Sequence, residues 1–159
     1  MLKYVESSLK GDGFMKFEIK DPGSAITHFI GMLMAAFAAT PLLIRAARNP
    51  DKIHLISLSI FIVSMILLYA ASTTYHTLNL SERTNRILRK IDHCMIFVLI
   101  AGSYTPVCLI VLGGRTGYAL CALVWTVALA GIFLKAFWIN CPKWFSSILY
   151  IAMGWICVL

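Results

Sequence analysis

The fold of this chain is decided by one long uncharged stretch, which reads Ile56-Ser-Leu-Ser-Ile-Phe-Ile-Val-Ser-Met-Ile-Leu-Leu-Tyr-Ala-Ala-Ser-Thr-Thr-Tyr-His76. A bilayer-spanning helix needs about 20 predominantly apolar residues, and this stretch supplies them. Its apolar residues occupy every helical face, whereas a helix on a soluble core is apolar along one stripe. The stretch therefore predicts a transmembrane helix, which we place at about 53–75.

The composition of the whole chain agrees with a membrane protein. Its 159 residues are 60% hydrophobic and 13% charged, with a mean hydropathy of +0.82. A soluble domain carries about 25% charged residues. The net charge of +7 does not indicate nucleic acid here, because the basic residues lie between apolar runs, where they set topology and meet anionic lipid headgroups.

Four further apolar runs flank the first one. Together they predict an all-α, polytopic helical bundle with five spans, at about 25–44, 53–75, 94–112, 118–134 and 145–159. Residues 1–24 form a polar lead before this transmembrane domain of 25–159. A secretory signal peptide is the alternative interpretation of the first run, but the length and acidic residues of the lead count against it.

The last run is short for a span. Its fifteen residues, 145–159, would reach about 22 Å at a rise of about 1.5 Å per residue, whereas the hydrocarbon core is about 30 Å thick. A helix that stopped inside the bilayer would leave carbonyl groups unpaired in lipid. We therefore expect the transmembrane domain to be incomplete at this end.

The distribution of basic residues predicts the orientation. If the spans alternate, ten lie on one side of the membrane and four on the other. The ten are Lys3, Lys10, Lys16, Lys20, Arg83, Arg86, Arg89, Lys90, Lys135 and Lys143. The four are Arg45, Arg48, Lys52 and Arg115. Basic residues favour the cytosolic side, so the N-terminus is predicted to be cytosolic.

Polar residues that carry chemistry gather at the predicted cytosolic ends of spans two and three. Ser72 and His76 are four residues apart and share one helical face, and Asp92 lies near the start of the third apolar run. His28, in span one, has a similar depth. Imidazole is a zinc ligand, and a carboxylate can bind the metal or orient a water bound to it. Ionisable residues in spans are costly and commonly functional.

Each of these residues also has a purely structural interpretation. His76 could bond a carbonyl at the headgroup level, and Asp92 could cap the N-terminus of span three. Spacing alone does not choose between a metal site and these roles. His28 fits helix packing best, and His93 points about 100° away from Asp92, which favours a surface role.

Three stretches resemble the hemolysin III family, the bacterial branch of the progestin and adipoQ receptor superfamily. They are Asp21-Pro-Gly-Ser-Ala-Ile-Thr-His28, Ala71-Ser-Thr-Thr-Tyr-His76, and Lys90-Ile-Asp-His-Cys-Met-Ile-Phe97 continued by Ala101-Gly-Ser-Tyr-Thr-Pro106. The resemblance implies seven helices, a cytosolic N-terminus and a bacterial inner (plasma) membrane location.

The resemblance also implies a zinc site on the cytosolic side. In the family pattern His76 is a zinc ligand, Asp92 orients the zinc-bound water, and Ser72 lines the site. A His-x-x-x-His pair in the seventh helix completes the ligand set, and this chain has no counterpart of it. Weak or absent zinc binding by this chain alone is therefore expected, with His28 as a candidate replacement ligand.

The resemblance is compatible with three classes of function. The superfamily is similar to hydrolases that cut amide bonds in membrane lipids such as ceramide. The family name derives instead from a pore-forming cytolysin, and a non-catalytic membrane-homeostasis or receptor-like protein is the third class. The polar cluster at one membrane face favours a hydrolase, because a pore needs polar residues at intervals through the bilayer.

Overall fold

The computed structural model describes residues 19–138 and 142–156, and the described part is helical without any strand. In chain order the helices are α1 (Pro22–Ala47), α2 (Lys52–Thr77), α3 (Glu82–Pro106, continued by a π-helical segment Val107–Leu112), α4 (Gly114–Phe137) and α5 (Lys143–Trp155). The predicted all-α helical bundle is confirmed.

Four of these helices are long and apolar enough to cross a membrane: Pro22–Ala47, Lys52–Thr77, Glu82–Leu112 and Gly114–Phe137. Many large apolar side chains on their surfaces are exposed, among them Phe37 at 77% and Phe133 at 64%. A soluble monomer rarely exposes so much contiguous apolar surface, so these side chains are suited to contact lipid. The chain is accordingly a multi-pass membrane protein.

The ends of the first helices follow from local chemistry. Pro22 occupies the first turn of α1, where its missing N–H costs no hydrogen bond. Asp21 is the N-cap residue, but its side chain makes no capping bond. Asp51 does cap α2, since its carboxylate accepts a 2.9 Å hydrogen bond from the N–H of Ile53.

The third helix begins earlier than its apolar run. Ser81 is the N-cap residue of α3 and accepts a 3.3 Å bond from the N–H of Thr84, so the basic stretch 82–90 is helical. The interpretation of Asp92 as the cap of this helix is therefore wrong, because Asp92 lies inside α3. A hydropathy pattern does not indicate these helical turns, because Arg and Lys are polar. Both residues are nevertheless good helix formers.

The third helix changes geometry after Pro106. Proline has no N–H to donate to the carbonyl four residues earlier, and residues Val107–Leu112 continue as a π-helix. The segment ends at Gly113 and Gly114, which have φ angles of 59° and 54°. Such positive φ values are readily adopted by glycine, so this pair provides the tight turn into α4.

Close approaches at glycine bring the helices together. A Cβ on Gly102 of α3 would collide with the side chain of Ser64 on α2, and one on Gly131 of α4 would collide with the Phe97 ring on α3. Small residues at such crossings are typical of membrane bundles. The buried core lies among α3, α4 and α5 and contains Phe97, Ala101, Tyr104, Cys108, Val124, Ala128 and Met153.

Candidate functional site

Helices α1 and α2 are joined where α1 begins and α2 ends. The backbone N–H of Asp21 donates to the carbonyl of His76 at 2.9 Å, and that of Lys20 donates to the carbonyl of Thr77 at 3.5 Å. The last carbonyls of a helix lack hydrogen-bond donors within that helix. The backbone N–H groups at the start of α1 therefore serve as donors to the last carbonyls of α2. We call this end of the molecule, which also holds Arg83, Arg86, Arg89, Lys90 and Lys135, the basic end.

The junction places two polar helix faces against each other. On α1, Asp21, Ser24 and His28 follow one another at spacings of three and four residues. On α2, Tyr69, Ser72 and His76 repeat the same spacing. Residues at these spacings lie on one face of a helix, so each helix contributes a short polar stripe to the contact.

The predicted residues His28, Ser72 and His76 come together in this contact. The Nδ1 atom of His28 is 2.5 Å from the Oγ atom of Ser72, and Ser72 is buried. The rings of His28 and His76 meet nearly edge to face, with centroids 5.6 Å apart. These are interactions between helices, so the two stripes form one cluster, which we call the His28–His76 cluster.

Asp21 contacts His76 from the outer side of the cluster. The Nδ1 atom of His76 is 3.1 Å from an Asp21 carboxylate oxygen, with side-chain exposures of 20% and 49%. The nitrogen does not meet the geometry of a hydrogen bond, and the contact becomes an ion pair only when His76 is protonated. A hydrogen bond from Ser24 is the largest of several effects that lower the pKa of Asp21, and the charge of His76 adds to it.

Asp21 lies next to His76 where a metal site would place a carboxylate. In such sites the carboxylate accepts a hydrogen bond from one ring nitrogen, which orients the imidazole and leaves the other nitrogen for the metal. Asp21 has the proximity, at 3.1 Å, without the hydrogen-bond geometry. Asp21 was not among the predicted site residues. The signal that would have found it is its position seven residues before His28, which puts both on one face of α1.

Asp92 lies inside α3 and contacts its neighbour His93. Its side chain is 12% exposed, and its ion-pair contact is with the neighbouring His93, at 3.8 Å. Within residues 19–138 and 142–156, no hydrogen bond or ion pair joins it to Ser72 or His76. The closeness of Asp92 to His76 stays a prediction.

His93 is bound to backbone and not to the cluster. Its Nδ1 atom lies 2.6 Å from the carbonyl of Arg89, and its own carbonyl accepts a 3.0 Å hydrogen bond from the Tyr150 hydroxyl. These contacts agree with a structural role for His93 where α3 meets α5.

The cluster offers two imidazoles that could contribute to a metal site. His76 and His28 lie beside each other, and Asp21 is next to the Nδ1 atom of His76. A catalytic zinc usually has three protein ligands and a water, and among the described residues no group of three or more His, Cys, Asp or Glu side chains could hold a metal. The described residues therefore match one or two positions of a ligand set.

The buried serines of α2 do not form a polar path through the bilayer. Ser57 and Ser64 donate 2.7 Å hydrogen bonds to carbonyls of their own helix, those of Ile53 and Ile60. Both are buried, and Ser64 is covered by Gly102 of α3. Their role is helix packing.

Comparison with known proteins shows the family. The model of the "Haemolysin-III related" family matches residues 18–159. The chain is 42% identical over 144 residues to the Hemolysin-3 homolog of Bacillus subtilis (strain 168), covering 90% of this chain and 67% of the relative. It is 37% identical over 145 residues to Hemolysin-3 of Bacillus cereus, covering 91% of this chain and 64% of that relative. The chain therefore belongs to the haemolysin III family of membrane proteins.

Proposed function

We propose that this chain carries part of the zinc site of a membrane hydrolase that cleaves amide bonds in lipids, located at the basic end of the bundle. The observation that supports it best is the convergence of His28, Ser72 and His76 from two helices onto one cluster. Polar and ionisable groups at such positions in a membrane are costly, and they are commonly kept for function.

Each residue has a distinct role in this proposal. His76 would hold the metal, with Asp21 beside its ring. Ser72 lines the site and binds a substrate oxygen, while His28 holds the Ser72 hydroxyl in place. Asp92 would orient a water, as the family resemblance implies. When bound, zinc would lower the pKa of a water and polarise a carbonyl.

The depth of the cluster suits a lipid amide. It lies within one or two turns of the N-terminus of α1 and the C-terminus of α2, near the boundary between hydrocarbon and headgroups. In a ceramide-like lipid the amide bond lies at that same boundary. Such a substrate could reach the cluster without leaving the membrane.

The pore-forming alternative has less support. A pore requires polar side chains spaced through the membrane, whereas Ser57 and Ser64 of α2 bond to carbonyls of their own helix. A receptor-like protein would use the same cluster to bind a lipid without cleaving it. Binding without cleavage would therefore favour that third class.

Zinc content provides the direct test. We expect the purified chain to hold less than one zinc per molecule, because too few ligands are gathered. A chimera that adds the part of the Bacillus subtilis relative outside the matched region should bind one zinc and release fatty acid from a fluorescent ceramide, and His76→Ala in it should abolish both.

Two outcomes would change the proposal. A chimera that binds no zinc, or that keeps its zinc after His76→Ala, would refute the role of His76. Stoichiometric zinc in the chain alone, lost on His76→Ala, would show that the described helices build their own site. His28 and His93 would then be the first candidates for the additional ligands.

A further inference from the structure

Helix α3 is longer than the membrane requires. With its π-helical segment it runs through 31 residues, Glu82–Leu112, whereas α1, α2 and α4 have 24 to 26. The apolar run from Cys94 to Leu112 already reaches about 28 Å, close to the thickness of the hydrocarbon core, about 30 Å. The preceding turns, Glu82–Lys90, therefore lie beyond it, over about 13 Å of helix, in the headgroup layer. We call them the α3 extension.

The α3 extension carries an unbalanced positive charge. It holds Arg83, Arg86, Arg89 and Lys90 against one carboxylate, Glu82. None of the three arginines makes an ion pair within residues 19–138 and 142–156. Cations at a helix N-terminus also oppose the helix dipole, so the charge is not there to stabilise the helix. The charge is therefore available to an anion from outside the described structure.

A second cationic group lies beside the extension. The Lys90 ammonium donates a 3.0 Å hydrogen bond to the carbonyl of Ala136 near the end of α4, which ties the extension to that helix. The preceding residue, Lys135, donates a 2.6 Å hydrogen bond to the hydroxyl of Ser146 on α5. Two helices thus bring basic residues to the same level of the membrane.

The extension also has an apolar side. Ile87 and Ile91 are four residues apart, on one helical face, and are 50% and 44% exposed. They continue the exposed apolar surface of the spans up to the level of the arginines. A partner in the aqueous phase would not require this surface, whereas a phospholipid has an anionic headgroup directly above an apolar chain.

We propose that the α3 extension is a binding site for anionic phospholipid, in which Arg83 and Arg86 contact the phosphate and Ile87 and Ile91 contact the upper acyl chain. Each basic residue at a membrane surface strengthens binding about fivefold. The site is distinct from the His28–His76 cluster and does not depend on the function proposed for that cluster.

Native mass spectrometry of the detergent-purified protein tests this site, with phosphatidylglycerol and phosphatidylcholine as the added lipids. The wild type should retain phosphatidylglycerol in preference to phosphatidylcholine. The variant Arg83→Gln/Arg86→Gln should bind phosphatidylglycerol about 25-fold more weakly. The matched control, Arg45→Gln/Arg48→Gln, removes the same charge at the opposite end of the bundle and should bind like the wild type.

A salt titration of the wild type gives an answer that does not depend on any variant. Preference for phosphatidylglycerol should fall steeply as ionic strength rises, because exposed charges are screened. Equal retention of the two lipids would overturn the proposal and favour an acidic protein as the partner. An unchanged affinity in Arg83→Gln/Arg86→Gln, or an equal loss in the control, would overturn it as well.

Discussion

The contact between His28 and Ser72 is the closest one in the His28–His76 cluster, and it joins residues 44 positions apart in sequence. Ser72 is buried, so removing its hydroxyl leaves a ring nitrogen of His28 without a protein partner. An unsatisfied buried polar group costs about 1–3 kcal/mol. The contribution of the cluster to the free energy of unfolding can therefore be measured by single substitutions.

Ser72→Ala should lower the free energy of unfolding by about 1–2 kcal/mol, as measured by equilibrium unfolding in mixed micelles. The matched control is Ser57→Ala. Ser57 is also buried on α2, but its hydroxyl bonds only to carbonyls of the same helix, so the change should be within about 0.5 kcal/mol. Equal effects of the two substitutions would show that the contact with His28 adds no stability.

Asp21 gives the cluster a dependence on pH. Its pKa lies below the ordinary value of 3.8, chiefly because Ser24 donates a hydrogen bond to the carboxylate. A group whose pKa is lowered on folding stabilises the folded state above its unfolded pKa, and that stabilisation is lost as the pH falls through the folded pKa.

Asp21→Asn should lower the melting temperature in detergent at pH 7, and the difference from wild type should shrink as the pH falls below about 3.8. Asp51→Asn is the control at the opposite end of the bundle. Asn caps a helix about as well as Asp, so this variant should melt close to the wild type at neutral pH. A deficit of Asp21→Asn that persists unchanged in acid would rule out the charge of Asp21 as its cause.

At the scale of helices, the crossing of α2 and α3 depends on the absence of a side chain at Gly102. An added Cβ would collide with the Oγ and Cβ atoms of Ser64. Since the Cβ of Ser64 is fixed to its backbone, the two helices would have to separate. This crossing also determines how far α3, with Asp92, lies from the cluster on α2.

Gly102→Ala should destabilise the bundle by about 1–3 kcal/mol, the usual cost of overpacking. Gly23→Ala is a suitable control, because a Cβ at Gly23 in the first turn of α1 has no atom within 4 Å. Alanine is the better helix former, so this change should be neutral or slightly stabilising. Unfolding in mixed micelles measures both, and a neutral Gly102→Ala would mean that α2 and α3 pack less closely.

At the scale of the whole molecule, the ten-to-four distribution of basic residues predicts that the basic end faces the cytosol. Glu82 and Arg115 are exposed at opposite ends of the bundle. Asn85 is a poorer probe position, because its side-chain amide bonds to Asn79 and to the backbone of Leu80. Labelling at Glu82 and Arg115 can therefore report the orientation without removing the hydrogen bonds of Asn85 between α2 and α3.

An impermeant maleimide added to intact cells should label Arg115→Cys and leave Glu82→Cys unlabelled. Wild-type protein gives the background from the native cysteines, and permeabilised cells should allow both positions to react. Labelling of Glu82→Cys alone in intact cells would contradict the predicted topology and place the basic end outside the cytosol.

The sequence by itself determined the helical membrane fold, because an uncharged run long enough to cross hydrocarbon has few other stable structures. It also indicated His28, Ser72 and His76, since ionisable and polar residues at the ends of apolar runs are unusual. It did not indicate the true start of α3, where good helix formers that are also charged hide the helix from a hydropathy pattern.

Only the tertiary structure decided which of these residues meet. The pairing of His28 with Ser72 and of Asp21 with His76 depends on how α1 and α2 are aligned, and that alignment follows from backbone hydrogen bonds between the start of one helix and the end of the other. Helical periodicity assigns a residue to a face of its own helix, but it contains no information about the register between two helices. That register is fixed by those backbone bonds together with the packing of Gly31 against Tyr69, and it brings the two polar stripes into one cluster.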